Sequence, residues 1–330
     1  MKFRGVMTAI VTPMQGGNID PGGLRNLVRK QVDAGIHGIV ACGSTGEGAT
    51  LTDAELVFVV EQVVDEVLGR VPVIAGVGSR STHGAVAQAQ AAEKAGADAL
   101  LVVTPAYNKP TQGGLVEHFR TVAENTRLPI CLYNVPSRTA VDMLPETVAT
   151  LAKHERIVAI KEATGSMERA AEIRRLVGDD FALMTGDDFT ALPFIAQGGN
   201  GVISVISNVL PGAMVEMFEA VGWKKMDRGI ELHLRLQPVM RSMFVESNPI
   251  PVKTAAAWLS LIPSAELRLP LSPLTDEGAE VLELALVEAG LRPNRVKGPR
   301  STLGPSDLPD RDVAEARTVE IGAHLNKTKS

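Results

Sequence analysis

The chain has 330 residues, 45% hydrophobic and 22% charged, the balance of an ordinary globular protein. A formal charge of −5 and a pI near 5.8 count against nucleic acid or an anionic membrane surface as partner. No apolar run approaches the roughly 20 residues that span a bilayer, and the N-terminus lacks a signal-peptide core, so a cytoplasmic protein is expected.

In chain order, "VMTAIV" (6–11) opens a series of short apolar, β-branched runs. Asp20-Pro21 then marks a helix start, a cap followed by proline at the first helical position. "GIVACG" (38–43) is the second strand candidate and runs into "GSTGEG" (43–48). Thr52-Asp-Ala-Glu55 reads as a capping box for the next helix. "PVIAGV" (72–77) precedes the helical "HGAVAQAQAAEKAG", which stops on Gly96. "ALLVVT" (99–104), "PICLYN" (129–134), "IVAIKE" (157–162), "FALMTG" (181–186) and "GVISVI" (201–206) continue the beat. These runs are continuously apolar, as expected for parallel strands covered on both faces.

Eight βα units within about 220 residues predict an α/β fold, a (β/α)8 TIM barrel over 1–223. The GxGxxG turn of a dinucleotide fold is missing after the first strand. Beyond 223 the strand beat stops. Helical segments near 224–246, 249–262 and 275–290 predict a C-terminal all-helical domain over 224–296. Residues 297–330, richer in Pro, Gly and charge, read as a flexible extension with one short helix near 312–325. Cys42 and Cys131 sit inside apolar runs, as small buried thiols of a reducing compartment do. The six histidines form no HxH or HExxH pair, and their spacing supports no metal site.

Chemistry in such a barrel sits at the C-terminal ends of its strands. "GSTGEG" there is either an anion cradle of backbone amides, sized for a carboxylate, or a tight turn with ordinary cap residues. Tyr133 and Arg138 share the loop after the fifth strand, and Tyr107 lies in a Pro-flanked loop after the fourth. Each tyrosine reads as an aromatic plug or a proton carrier, and Arg138 as a surface or a binding residue. The chain has only these two tyrosines, and both fall on predicted catalytic-end loops.

Lys161 leaves three readings open: a charge snorkelling to water, half of an ion pair, or a nucleophile. Glu162 points to the opposite strand face and is no partner for it. Inside a barrel, burial favours the neutral amine, the form that attacks a ketone to make a Schiff base. The protonated imine is an electron sink that turns the methyl group of a 2-oxo acid into a carbon nucleophile.

"GSTGEGATLT", "TPAYNKP", "YNVPSRT", "IKEATG", "GDD" and "ESNPIPVK" occur in this order. With them, residues from about 3 to 292 resemble the dihydrodipicolinate synthase family. The wider class I aldolase superfamily includes N-acetylneuraminate lyase. The resemblance implies that Lys161 forms the Schiff base with pyruvate and that Tyr133 is the general acid/base. It implies that Ser44 and Tyr107 complete a hydroxyl relay, Tyr107 reaching in from a neighbouring subunit of a homo-oligomer, a dimer of dimers. Thr45 and nearby amides would hold the pyruvate carboxylate, and Arg138 the carboxylate of L-aspartate 4-semialdehyde. Gly186 and Ile203 would line the pocket through their carbonyls. The implied reaction is condensation to 4-hydroxy-tetrahydrodipicolinate, which opens lysine and diaminopimelate biosynthesis. It needs no cofactor beyond the covalent Schiff base, and no metal.

Two departures matter. Ser44 replaces the threonine usual in the synthases and matches the sialic-acid lyases, which keeps a lyase or dehydratase acting on a sugar acid or another 2-oxo acid as the alternative. Arg138 leans towards the semialdehyde, because a bidentate carboxylate contact is hard to replace. Feedback-inhibited relatives hold lysine with polar side chains where this chain has Gly48, Asp53, Leu56, Arg80, Gly84 and Ala106, so weak or absent inhibition by lysine is expected.

Overall fold

The computed structural model describes residues 3–295. Eight parallel strands close a barrel in chain order: β1 (Gly5–Ala9), β2 (Gly38–Ala41), β3 (Val73–Val77), β4 (Ala99–Val103), β5 (Ile130–Asn134), β6 (Ile157–Glu162), β7 (Ala182–Thr185) and β8 (Gly201–Ser204). Strand β8 returns to pair with β1, in the register Val6 to Val202. Each strand matches one of the eight apolar runs to within two residues at either end.

Helices α1 (Pro21–Asp33), α2 (Asp53–Val67), α3 (Thr82–Lys94), α4 (Gln112–Glu124), α5 (Pro136–Thr139), α6 (Pro145–Leu151), α7 (Met167–Val177), α8 (Ala191–Ala196) and α9 (Pro211–Gly222) alternate with the strands. The local signals act as the sequence predicts. Asp20 accepts from the amides of Gly22 and Gly23 with Pro21 at the first position, and Thr52 and Glu55 form the capping box of α2. Three further helices, α10 (Met226–Ser242), α11 (Ile250–Trp258) and α12 (Asp276–Glu288), lie within the predicted helical segments. Helix α10 packs on α9 and α12, and α11 on α12. Residues up to Asn294 form one compact unit, and the expected boundary at 223/224 falls in the turn between α9 and α10. The expected 297–330 extension, with its helix near 312–325, lies outside the described residues.

The core has two layers. Ile39, Leu100, Leu132 and Ile160 face outward and pack with Val59, Phe119 and Ile173 of the helices. Val40, Ile74, Leu101, Tyr133 and Ile203 face inward and fill the lumen. The strand period of two decides where Lys161 goes: Ala159 points into the lumen and Ile160 out, so Lys161 points in and Glu162 out. Glu162 duly accepts from Arg169 Nε at 2.8 Å and from Asn134 Nδ2 at 3.1 Å, outside the barrel wall.

Two local elements were not anticipated. A short antiparallel hairpin pairs 14–15 with 18–19, turning on Gly16 and Gly17 at φ of +60° and +79°, which a two-glycine turn reaches without a Cβ clash. Arg138 sits on α5, a single helical turn that Pro136 starts, rather than sharing a loop with Tyr133, which lies on β5 itself. Among the described residues, no helix is long and apolar enough to cross a membrane.

Candidate active site

Lys161 and Tyr133 are register partners on β6 and β5, each about 6% exposed. The ammonium nitrogen of Lys161 lies 4.4 Å from the centre of the Tyr133 ring, a cation–π contact at the mouth of the lumen. A cavity of about 390 Å³ opens over them, and Thr45, Arg138 and Gly186 also line it. Gly186 is required by close approach: a Cβ there would stand 2.6 Å from Lys161 Cε. Five of the eight expected site residues therefore meet in one place.

Ser44 lines a second cavity of about 360 Å³, which shares Tyr133, Arg138 and Asn248 with the first. Ile203 is fully buried one layer below, in the lumen, and lines neither cavity, whereas Val205 beyond the end of β8 lines the first. Tyr107 is 86% exposed at φ +75°, and it lines neither cavity of its own chain.

The "GSTGEG" turn keeps part of its backbone for itself. The amide of Glu47 donates to Ser44 O and that of Gly48 to Gly43 O, while the amides of Ser44 and Thr45 find no acceptor among the described residues. Glu47 anchors the turn from beneath. Its carboxylate forms a fully buried ion pair with Lys253 of α11, and its other oxygen accepts from the amide of Arg268. Burial holds the Lys253 ammonium below the usual lysine range, against the pull of Glu47.

Asn248, just before α11, ties the two sides of the mouth together. Its Nδ2 donates to Thr45 Oγ1 at 3.0 Å, which leaves the Thr45 hydroxyl hydrogen for the cavity. Its backbone carbonyl accepts from Arg138 Nη2 at 2.9 Å. Asp187 also lines the first cavity, and burial raises its carboxyl above the ordinary aspartate range despite bonds from Thr190 and the Phe189 amide. Sequence reasoning gave no role to Glu47, Asp187, Asn248 or Lys253, although "GSTGEG", "GDD" and "ESNPIPVK" contain them. The partners of Glu47, Asn248 and Lys253 lie 110 to 221 residues away, and no local pattern signals such pairings.

Among the positions linked to lysine feedback in relatives, Gly48, Leu56 and Ala106 line the second cavity with little polarity, and Asp53 accepts from Gln88. Burial pushes the Cys42 thiol up to about 12, and Cys131 is raised by the same cause. Among the described residues, no three His, Cys, Asp or Glu side chains are grouped to hold a metal ion.

The family model described as the Dihydrodipicolinate synthetase family matches residues 2–289. The chain is 50% identical over 291 residues to the 4-hydroxy-tetrahydrodipicolinate synthase of Thermodesulfovibrio yellowstonii, covering 88% of this chain and 99% of that one. It is similar to the solved chloride-inhibited dihydrodipicolinate synthase of Acinetobacter baumannii in complex with pyruvate, at 40% identity and a TM-score of 0.86, covering 88% of this chain and 100% of that one. A solved monomeric dihydrodipicolinate synthase variant is equally alike, at 41% identity and a TM-score of 0.86, covering 88% and 98% of the two chains.

Proposed function

The chain belongs to the dihydrodipicolinate synthetase family, and on that premise we propose that it condenses pyruvate with L-aspartate 4-semialdehyde to 4-hydroxy-tetrahydrodipicolinate. This is the committed entry to lysine and diaminopimelate biosynthesis. Lys161, buried against Tyr133 in a cavity that also presents Thr45 and Arg138, is the observation that carries the chemistry.

The neutral Lys161 amine adds to the ketone carbon of pyruvate and expels its oxygen as water, leaving an iminium. Loss of a methyl proton gives an enamine, whose carbon attacks the aldehyde of the second substrate, and the resulting alkoxide takes up a proton. Tyr133 stands beside Lys161 and between the two cavities, a position suited to moving those protons, with Ser44 next in the relay. The amine of the second substrate then attacks the iminium carbon, closes the ring and releases Lys161. The Thr45 hydroxyl and the unpartnered amides of Ser44 and Thr45 favour the cradle reading of "GSTGEG", with the pyruvate carboxylate as its anion. Arg138, fixed through Asn248, grips the carboxylate of the semialdehyde. Gly186 lines the cavity as a binding residue should, whereas Ile203, expected beside it, lies a layer below in the lumen. Tyr107 belongs to this relay through a second copy of the chain. Its exposure and the Ser44-lined cavity support that arrangement, a dimer at least and a dimer of dimers in the full proposal. The chemistry runs without a resident cofactor. Two free, buried thiols suit the reducing cytoplasm as its setting. Apart from Ser44, nothing observed favours the sugar-acid lyase alternative.

Borohydride added with pyruvate should leave a reduced pyruvyl group on the intact wild-type chain and none on Lys161→Ala. In a coupled condensation assay, Arg138→Ala should lower kcat/KM for the semialdehyde roughly a hundredfold, as loss of a charge-assisted contact predicts. Unchanged semialdehyde turnover in Arg138→Ala would overturn the substrate assignment while leaving the Schiff base intact.

A further inference from the structure

Four titratable side chains line the cavity over Lys161: Tyr133, Arg138, Lys161 itself and Asp187. Three have roles in the proposed reaction, and Asp187 has none. Other buried acids on or near the catalytic end are paired or, like Asp188, line neither cavity. Glu47 pairs with Lys253, Glu162 pairs with Arg169, and Asp188 accepts from the amides of Val205 and Ile206. Asp187 alone faces the cavity with no cation beside it among the described residues. Its Oδ1 accepts from the Phe189 amide at 3.2 Å and its Oδ2 from the Thr190 hydroxyl at 2.9 Å. Each oxygen keeps a free lone pair. Lys161 does not serve as the counter-charge, because its nitrogen lies over the Tyr133 ring and forms no ion pair with Asp187.

Arg138 is in the mirror situation. Its guanidinium donates to the backbone carbonyl of Asn248 and pairs with no carboxylate among the described residues. Apart from Lys161, which the proposed reaction engages with pyruvate, the cavity thus carries one unpaired cation and one unpaired anion among the described residues, the charge complement of an α-amino acid. Of the two proposed substrates only the semialdehyde is such a zwitterion; pyruvate offers a carboxylate alone. An ionised carboxylate half-buried without a cation is costly, and a bound ammonium removes that cost.

We infer that Asp187 is the acceptor for the α-ammonium group of the second substrate, opposite Arg138, and selects an amino-acid aldehyde over one lacking the amine. This inference rests on the proposed condensation. It makes Asp187 a specificity residue and gives the "GDD" segment a binding task besides shaping the turn after β7. The raised carboxyl of Asp187 fits an acceptor awaiting its cation.

The test compares L-aspartate 4-semialdehyde with succinate semialdehyde, which keeps the aldehyde and the carboxylate but has no ammonium. KM for the first and the competitive inhibition constant of the second are measured for wild type, Asp187→Asn and Asp187→Ala. Borohydride trapping of pyruvate is run on all three. The expected result is a roughly ten- to hundredfold rise in KM for the amino substrate. The inhibition constant of succinate semialdehyde should stay within about twofold and trapping should be unimpaired in both variants. Parallel weakening of both aldehydes, loss of trapping, or no change in either constant would overturn the inference, the first two by showing that Asp187 merely shapes the site. Failure of wild type itself to condense the amino substrate would instead overturn the proposed reaction, so the two failures are distinct.

Discussion

At Gly186, a Cβ would meet Lys161 Cε at 2.6 Å and Ala163 Cβ at 2.8 Å, so the end of β7 leaves its side-chain space to the lysine. Ala163 has no side-chain torsion with which to yield, and the Lys161 nitrogen already lies 4.4 Å from the centre of the Tyr133 ring. Gly186→Ala should therefore push the amine off its line of attack and slow borohydride trapping of pyruvate roughly tenfold or more, in keeping with the cost of a misplacement near 1 Å. Trapping at the wild-type rate would mean that the lysine finds its position by other means. Lys161 and Tyr133 were legible as candidates because each ends an apolar run where polar or aromatic groups are informative. Asp187 was not, because a carboxylate in a turn looks alike whether it shapes the turn or faces a cavity.

Helix α11 shows at the scale of an element what the end of the barrel depends on. Its N-terminal flank holds Thr45 and Arg138 through Asn248, and its middle holds the "GSTGEG" turn through Lys253 and Glu47. The segments that link these helices thus contribute to the cavity walls, through Phe244 and Asn248 in the first and Asn248, Pro249, Pro270 and Leu271 in the second. Lys253→Met leaves Glu47 buried without its cation and should cost roughly 3–5 kcal/mol in chemical denaturation. Pairing it with Glu47→Gln removes the stranded charge and should restore much of that stability. A single variant as stable as wild type would show that water reaches the pair. The existence and approximate bounds of α11 were readable from its apolar content, and its service to the site was not. Lys253 looks like any helix lysine until the fold places Glu47 against it.

For the whole molecule the proposed relay depends on which copy supplies Tyr107. It is exposed on its own chain and lines neither cavity, while Ser44 and Tyr133 border the second one. If a second copy supplies it, Tyr107→Phe and Lys161→Ala, each nearly inactive alone, should complement when mixed and reassembled. A heterodimer then holds one complete site, and random mixing returns about a quarter of wild-type sites. No recovery, in a preparation shown to contain mixed dimers, would place the relay within one chain.

The sequence by itself determined the strand count, the parallel barrel and the helix caps, and it marked Lys161 as a candidate nucleophile. Each rests on signals carried within about ten residues: continuous apolar runs, a capping box, a lysine on the inward parity of a strand. Tertiary structure alone decided which charges are matched and which face a cavity unmatched. Among the described residues, Arg138 and Asp187 line one cavity without an ion-pair partner, while Glu47 and Lys253, 206 residues apart, cancel each other in the interior. Pairing of that kind depends on distance in space, to which the order of residues along a chain gives no direct measure.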